Sequence, residues 1–202
     1  MRATTQPAGS AERWGPLWGA RPEDWARIEE QQLPTYEEAL RRTELRSGRR
    51  VLEVGCGSGV FLRLAADRGA HVSGLDASEA LIELARARVP EADLHVGDMQ
   101  FLPYESDTFD IVAGFNSFFF AEDMVEALRE AGRVTRPGGQ VLIQVWGSPD
   151  RCDLEAMKRG VLPLLPGAAP GERKPPDYWQ PGVLESLVRQ AGLNARSSFD
   201  TS

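Results

Sequence analysis

"VLEVGCGSG" (residues 51–59) is an apolar run that ends in glycines at 55, 57 and 59. The stretch "RRVLEVG" (49–55) reads as a strand, and "GVFLRLAADRG" (59–69) sets Phe61, Leu62, Ala65 and Ala66 at helical spacing with Gly69 as a stop. Strand, glycine turn and helix make one βα unit, and the unit recurs down the chain. "AHVSGLD" (70–76) is a second strand, and Ser78 is placed to cap the helix "EALIELARARV", which Pro90 ends. "ADLHVGD" (92–98) and "FDIVAGF" (109–115) supply a third and fourth strand, a helix covers about 122–135, and "GQVLIQVWG" (139–147) is a fifth strand. This alternation predicts an α/β fold, a Rossmann-like, mostly parallel sheet with helices on both faces.

Two segments flank this core. Residues 1–48 form a polar tail and an N-terminal helical cap, with Trp14, Trp18 and Trp25 and helical stretches around 22–32 and 35–45 separated by Pro34. The remainder, 49–202, is the core, interrupted at about 147–180 by a proline-broken lid insertion. A last helix over 181–192 has Pro181 near its start and Gly192 past its end.

Composition narrows the function. A net charge of −7 leaves no broad positive field, so nucleic acid is not the expected partner. The two cysteines, Cys56 and Cys152, lack CxxC spacing, so neither a disulfide framework nor a metal site is expected, and a reducing cytoplasm fits. No stretch reaches the roughly 18 apolar residues of a membrane span.

In an open parallel sheet, ligands bind at the carboxyl ends of the strands, where the glycine turn sits. Glycines let the backbone approach a ligand, and the helix behind them aims its N–H groups at the same place. Both a dinucleotide and an adenosyl ligand could use such a turn. The dinucleotide pattern G-x-G-x-x-G/A puts a small third residue at 60, which here is Val60, whereas Gly59 makes the pattern E-x-G-x-G-x-G. Glu53 would repel a pyrophosphate but could face an ammonium group.

With these residues the motif resembles the first motif of the class I S-adenosylmethionine-dependent methyltransferases. Asp76 in "GLDAS", the segment "GDMQFLPYESDTFDIV" (97–112), and "EALREAGRVTRPGGQVLIQ" (126–144) resemble that family's later stations in order and spacing. The wording is most similar to small-molecule methyltransferases related to the ubiquinone and menaquinone biosynthesis enzymes. The resemblance implies S-adenosyl-L-methionine as cofactor, S-adenosyl-L-homocysteine as product and a small-molecule acceptor. It implies a cofactor site of Glu53, Gly55, Cys56 (through its backbone), Gly57, Gly59, Asp76 on the ribose, Ala77, Asp98 on the adenine amino group, Met99 on the ring, Asn116, and Tyr36 toward the cofactor's carboxylate. Trp18, Phe118, Phe119 and Phe120 are candidates for the acceptor wall.

No catalytic base is assigned. His71 starts the second strand and His95 lies within the third, so both are given structural roles, and where many relatives carry a histidine this chain has Phe120. Alignment of the reactants supplies most of the catalysis in methyl transfer, on the order of 7–11 kcal/mol in favourable cases. The resemblance also implies seven strands in the order 3-2-1-4-5-7-6. "NARSSFDT" (194–201) offers a sixth, and the seventh is expected to be lacking, which leaves the edge of the fifth strand to be covered by the tail, the lid or a second copy in a homodimer. An S-adenosylmethionine-binding protein without turnover, and more remotely a nicotinamide dehydrogenase, stand as alternatives.

Overall fold

The computed structural model describes residues 9–151, 160–161 and 177–196. Five strands, β1 (Arg50–Val54), β2 (His71–Asp76), β3 (Asp93–Val96), β4 (Phe109–Phe115) and β5 (Thr135–Gln144), form one sheet in the order β3-β2-β1-β4-β5. All four pairings are parallel. The strand order reverses between β1 and its neighbours β2 and β4, which opens a crevice beyond the carboxyl end of β1.

Seven helices accompany the sheet among the described residues: α1 (Ser10–Trp18), α2 (Pro22–Glu29), α3 (Leu33–Arg42), α4 (Val60–Ala66), α5 (Glu79–Arg88), α6 (Met124–Val134) and α7 (Val183–Gln190). Ser78 caps α5 by accepting from the amide of Leu81 at 3.3 Å, as its position predicts. Asp123 caps α6 through the amides of Val125 (2.8 Å) and Glu126 (3.3 Å). Two of the chain's expected short helices thus start on side-chain acceptors.

Side chains of β1 alternate between two cores. Val51 joins Tyr36, Leu40, Phe61, Leu62 and Ile82 on the face covered by α3, α4 and α5. Leu52 and Val54 join Phe109, Phe118, Leu128 and Val134 on the face covered by α6 and α7. Each fully buried large side chain contributes about 1.5–3 kcal/mol, so both faces hold the sheet. Glu53 shares the Val51 face, where a carboxylate is out of place unless something is to meet it.

Two boundaries differ from the sequence reading. β5 begins at Thr135, directly after α6, because Thr135 pairs with Phe109 ahead of a register shift between Phe109 and Ile111. The Pro-Gly-Gly segment therefore lies inside the strand's bounds as an irregularity. The helix α1 was not foreseen: Pro16 lies within it, and its anchor is Asp98, far along the chain. Most of the lid at 147–180, and the sixth strand expected over 194–201 beyond Arg196, lie outside the described residues, as does any seventh strand. Among the described residues, no helix is long and apolar enough to cross a membrane.

Candidate cofactor and acceptor site

The glycine turn leaves β1 with Gly55, Gly57 and Gly59 at φ values of +76°, +51° and +81°. Left-handed backbone of this kind favours glycine, which is why the sequence must place them there. The amides of Gly55 (2.7 Å) and Cys56 (3.1 Å) both donate to the carbonyl of Leu75, so the turn is tied to β2. Cys56 is fully buried, and burial pushes its thiol well above the usual range. Its thiol is core filling, and its backbone forms the turn.

Asp76 ends β2 beside that turn. One of its oxygens accepts from the amide of Gly57 and the other from the amide of Ser78, each at 2.9 Å. Burial raises its pKa, and the amides of Ser78 and Gly57 pull it back. Each oxygen keeps a lone pair directed away from these amides, so ribose hydroxyls could still be accepted.

Glu29, on α2, is a site residue that the sequence reading missed. It is 2% exposed and accepts from the amide (2.9 Å) and hydroxyl (2.7 Å) of Ser58. Arg88 donates in turn to the Ser58 hydroxyl at 2.6 Å. A Cβ on Gly57 would stand 2.9 Å from Trp25 Nε1 and 3.0 Å from Glu29 Oε2, so α2 packs directly on the turn. Trp25 and Glu29 are four apart on one helix face, a spacing that could have paired them. Glu29 was masked in the sequence by its acidic neighbours.

Glu53 is 1% exposed, and its Oε2 is buried with no hydrogen-bond partner. Burial raises its pKa well above the usual carboxylate value, and the charges of Glu29 and Asp76 act in the same direction. Among the described residues, three more buried polar atoms lack partners: Asn116 Oδ1, Ser117 Oγ and Gln144 Oε1. All four stand at the carboxyl ends of β1, β4 and β5. Ser117 touches the turn, its Cβ lying 2.5 Å from where a Cβ on Gly55 would be. Leaving a buried polar group unpaired costs about 1–3 kcal/mol, so these atoms call for a partner that the described residues do not supply. Gln144 and Ser117 were also missed, since a polar residue at a strand end carries no signal until its neighbours are known.

The other expected residues are placed as follows. Asp98 Oδ2 accepts from the Ser10 hydroxyl (3.0 Å) and the Ala11 amide (2.9 Å), and Oδ1 accepts from the Gln100 amide (2.9 Å). It therefore anchors the start of α1. Ala77 is half-buried beneath α1, whose Gly15 would carry a Cβ only 2.4 Å from the Ala77 carbonyl oxygen. Met99 packs against the α6 side of the core. Asn116 adopts φ +50° and donates to Gln32 Oε1 at 3.4 Å. Tyr36 is a core residue, 2% exposed and edge-on to Phe61 and Phe115 at 5.7 and 4.7 Å. Burial, then the charges of Glu53 and Glu29, raise its hydroxyl far above the usual value.

The aromatic wall is partly corrected. Phe118 is 2% exposed and packs over Gly114 in the α6-side core, because its turn follows directly on β4 and rolls that ring inward. Its ring belongs to the core on the face of Leu52 and Val54, opposite Glu53. Phe120 is half-buried and meets Trp14 at 4.9 Å and Trp18 at 5.6 Å, while Trp18 meets Trp25 at 4.8 Å. Phe119 contacts Phe120 at 4.7 Å and stacks on Tyr178 at 5.8 Å. Helices α1 and α2 thus bring their tryptophans to the aromatic run after β4. The two histidines stand elsewhere: His71 is exposed at the far end of β2, and His95 pairs with Asp93 at 3.0 Å.

The parallel sheet thus carries a glycine turn after β1, a buried acid in β1 just before that turn and another at the end of β2. Residues 52–143 match the methyltransferase domain family, and the chain is similar to proteins described as S-adenosylmethionine-dependent methyltransferases. It is 29% identical over 157 residues to a ubiquinone biosynthesis O-methyltransferase of Pseudomonas aeruginosa, covering 74% of this chain and 66% of that one. It is 30% identical over 145 residues to a dTDP-4-amino-2,3,4,6-tetradeoxy-D-glucose N,N-dimethyltransferase of Saccharopolyspora spinosa, covering 70% of this chain and 56% of that one. The chain thus spans between about half and two thirds of these relatives' lengths. A solved methyltransferase from Aquifex aeolicus shares the fold, with a TM-score of 0.62 at 18% identity over 85% of this chain and 87% of that one.

Proposed function

We propose that this protein binds S-adenosyl-L-methionine and transfers its methyl group to a small-molecule acceptor, releasing S-adenosyl-L-homocysteine. The observation that carries this reading is the buried Glu53 Oε2, which has no hydrogen-bond partner beside the glycine turn. It fits a ligand that brings a cationic donor, and a pyrophosphate would be repelled there.

In this reading Gly55, Cys56, Gly57 and Gly59 shape the turn, Glu53 receives the ammonium end, and Asn116 borders the cofactor on the acceptor side. Asp76 takes the ribose, Ala77 and Met99 flank the adenine, and Asp98 offers its remaining lone pairs to the adenine amino group. Tyr36 borders the amino-acid end from the core. When bound, the cofactor supplies an electrophilic methyl on a sulfonium, with a neutral thioether as leaving group. The chain's own contribution is to hold both reactants aligned and to exclude water beneath α1 and α2, an effect that can reach about 7–11 kcal/mol. A cytoplasmic location and a small-molecule partner belong to the same proposal.

Calorimetry with S-adenosylhomocysteine tests it. The wild-type protein is expected to bind, and Asp76→Ala to bind at least about tenfold more weakly, since it loses charge-assisted hydrogen bonds worth about 1.5–3 kcal/mol. An unchanged dissociation constant would show the ribose assignment to be wrong. Binding without product release on any acceptor in a broad panel would favour a non-catalytic cofactor-binding protein.

A further inference from the structure

Three of the four unpaired oxygens are neutral: Asn116 Oδ1, Ser117 Oγ and Gln144 Oε1. Gln144 pairs laterally with Phe115, and the Asn116 amide donates to the Gln144 carbonyl at 2.9 Å, so the residues are neighbours across β4 and β5. Lateral partners in a parallel sheet share a face, which sets the Gln144 side chain on the face of Phe115, Ala113 and Glu53. Each side-chain amide nitrogen donates one hydrogen bond within the protein. Gln144 Nε2 donates to the Val145 carbonyl at 3.1 Å, and Asn116 Nδ2 donates to Gln32 at 3.4 Å. Their carbonyl oxygens are left without a donor, which the N–H groups of a ligand would supply. Asn116 is 8% and Ser117 6% exposed, so water is largely excluded from the niche.

Charge divides the four oxygens. Glu53 suits the cofactor's ammonium, whereas two amide oxygens suit uncharged N–H groups. The half-buried rings of Phe119, Phe120 and Trp18 begin three residues beyond Asn116 in sequence or pack against those that do.

Resting on the methyltransferase reading, we propose that Asn116 and Gln144 hold the amino group of an uncharged aromatic amine, which the protein methylates on nitrogen. Two carbonyl acceptors engage the two N–H bonds of a primary amine and leave its lone pair as the free direction. That lone pair forms the N–CH3 bond as the carbon–sulfur bond breaks, the bonding electrons stay on sulfur, and the extra proton on nitrogen leaves afterwards to water. A phenol would have to lose its proton during transfer; amide oxygens cannot take it, the chain's two histidines stand elsewhere, and Glu53 is committed to the cofactor's ammonium in this reading. Gln144 is thus a specificity-determining residue.

The test uses 4-butylaniline and 4-butylphenol as matched probes. The aniline is expected to bind the S-adenosylhomocysteine complex by calorimetry, and with S-adenosylmethionine to release product at least about tenfold faster than the phenol. Gln144→Leu is expected to lower kcat/KM for the aniline about tenfold or more while leaving S-adenosylhomocysteine affinity within about twofold. Retained affinity also shows that the variant is folded, and the near-isosteric Gln144→Met, which also lacks the amide oxygen, supplies the same reading if Gln144→Leu does not fold. Equal or faster turnover of the phenol overturns the proposal. So does failure of the aniline to bind the complex, or a loss of cofactor affinity in Gln144→Leu with the aniline KM unchanged. A wild-type protein that binds no S-adenosylhomocysteine overturns the methyltransferase reading itself.

Discussion

Glu53 is a carboxylate kept in a core position with one oxygen unpaired. Its folded-state pKa lies above the usual 4.5, chiefly through burial. The folded state therefore holds a proton that the unfolded chain releases, and stability is lost as pH rises from 4.5 toward the raised value. Glu29 and Asp76 shift in the same direction for the same main reason. The ligand-free protein is expected to show a falling thermal midpoint over this pH range. Glu53→Gln should flatten that slope and raise neutral-pH stability by about 1–3 kcal/mol, because an amide can donate to the acceptors around it. The same variant should weaken cofactor binding. Thermal melts across pH with and without S-adenosylhomocysteine separate the two effects, and an unchanged slope would place the charge elsewhere.

At the scale of elements, α1 lies along the carboxyl ends of β2 and β3. Asp98 holds its first turn, and Gly15 sits against the Ala77 carbonyl. A Cβ at residue 15 would lie 2.4 Å from that backbone oxygen, which cannot yield as a flexible side chain would. Gly15→Val is therefore expected to lift α1 off the sheet while the strands stay folded. Hydrogen exchange should show fast amides over Ser10–Trp18 with β1 and β4 still protected. Equal protection of α1 in the variant would mean that the helix is held by other contacts. The sequence of α1 reveals none of this, because its stabilising acceptor is 87 residues from Ala11 and its own Pro16 and Gly15 argue against a helix. By contrast α5 and α6, each with an adjacent Ser or Asp cap, are legible locally.

At the scale of the molecule, two cores clamp one parallel sheet, and the aromatic run after β4 serves both structure and site. Phe118 fills the α6-side core, whereas Phe119 and Phe120 meet the cap tryptophans and Tyr178. Phe118→Ala is expected to cost about 3–5 kcal/mol, read as a lower urea midpoint with the slope unchanged. Phe120→Ala, half-buried, should cost less stability and act mainly on acceptor KM. A reversal of these two effects would exchange the roles of the rings.

The sheet was legible because hydrophobic periodicity and glycine spacing are local, so β1 to β5 and the turn at Gly55, Gly57 and Gly59 follow from neighbouring residues alone. Glu53 and Asp76 were legible for the same reason, as acids at fixed distances from that turn. Three things were decided by tertiary packing: that Glu29 from a cap helix caps the Ser58 amide, that Phe118 turns inward while Phe120 does not, and that Gln144 and Asn116 both leave a carbonyl unpaired. Whether a buried oxygen finds a partner depends on residues brought together from distant parts of the chain. A linear pattern records residue types and spacings, and only the folded chain determines which polar groups remain unpaired.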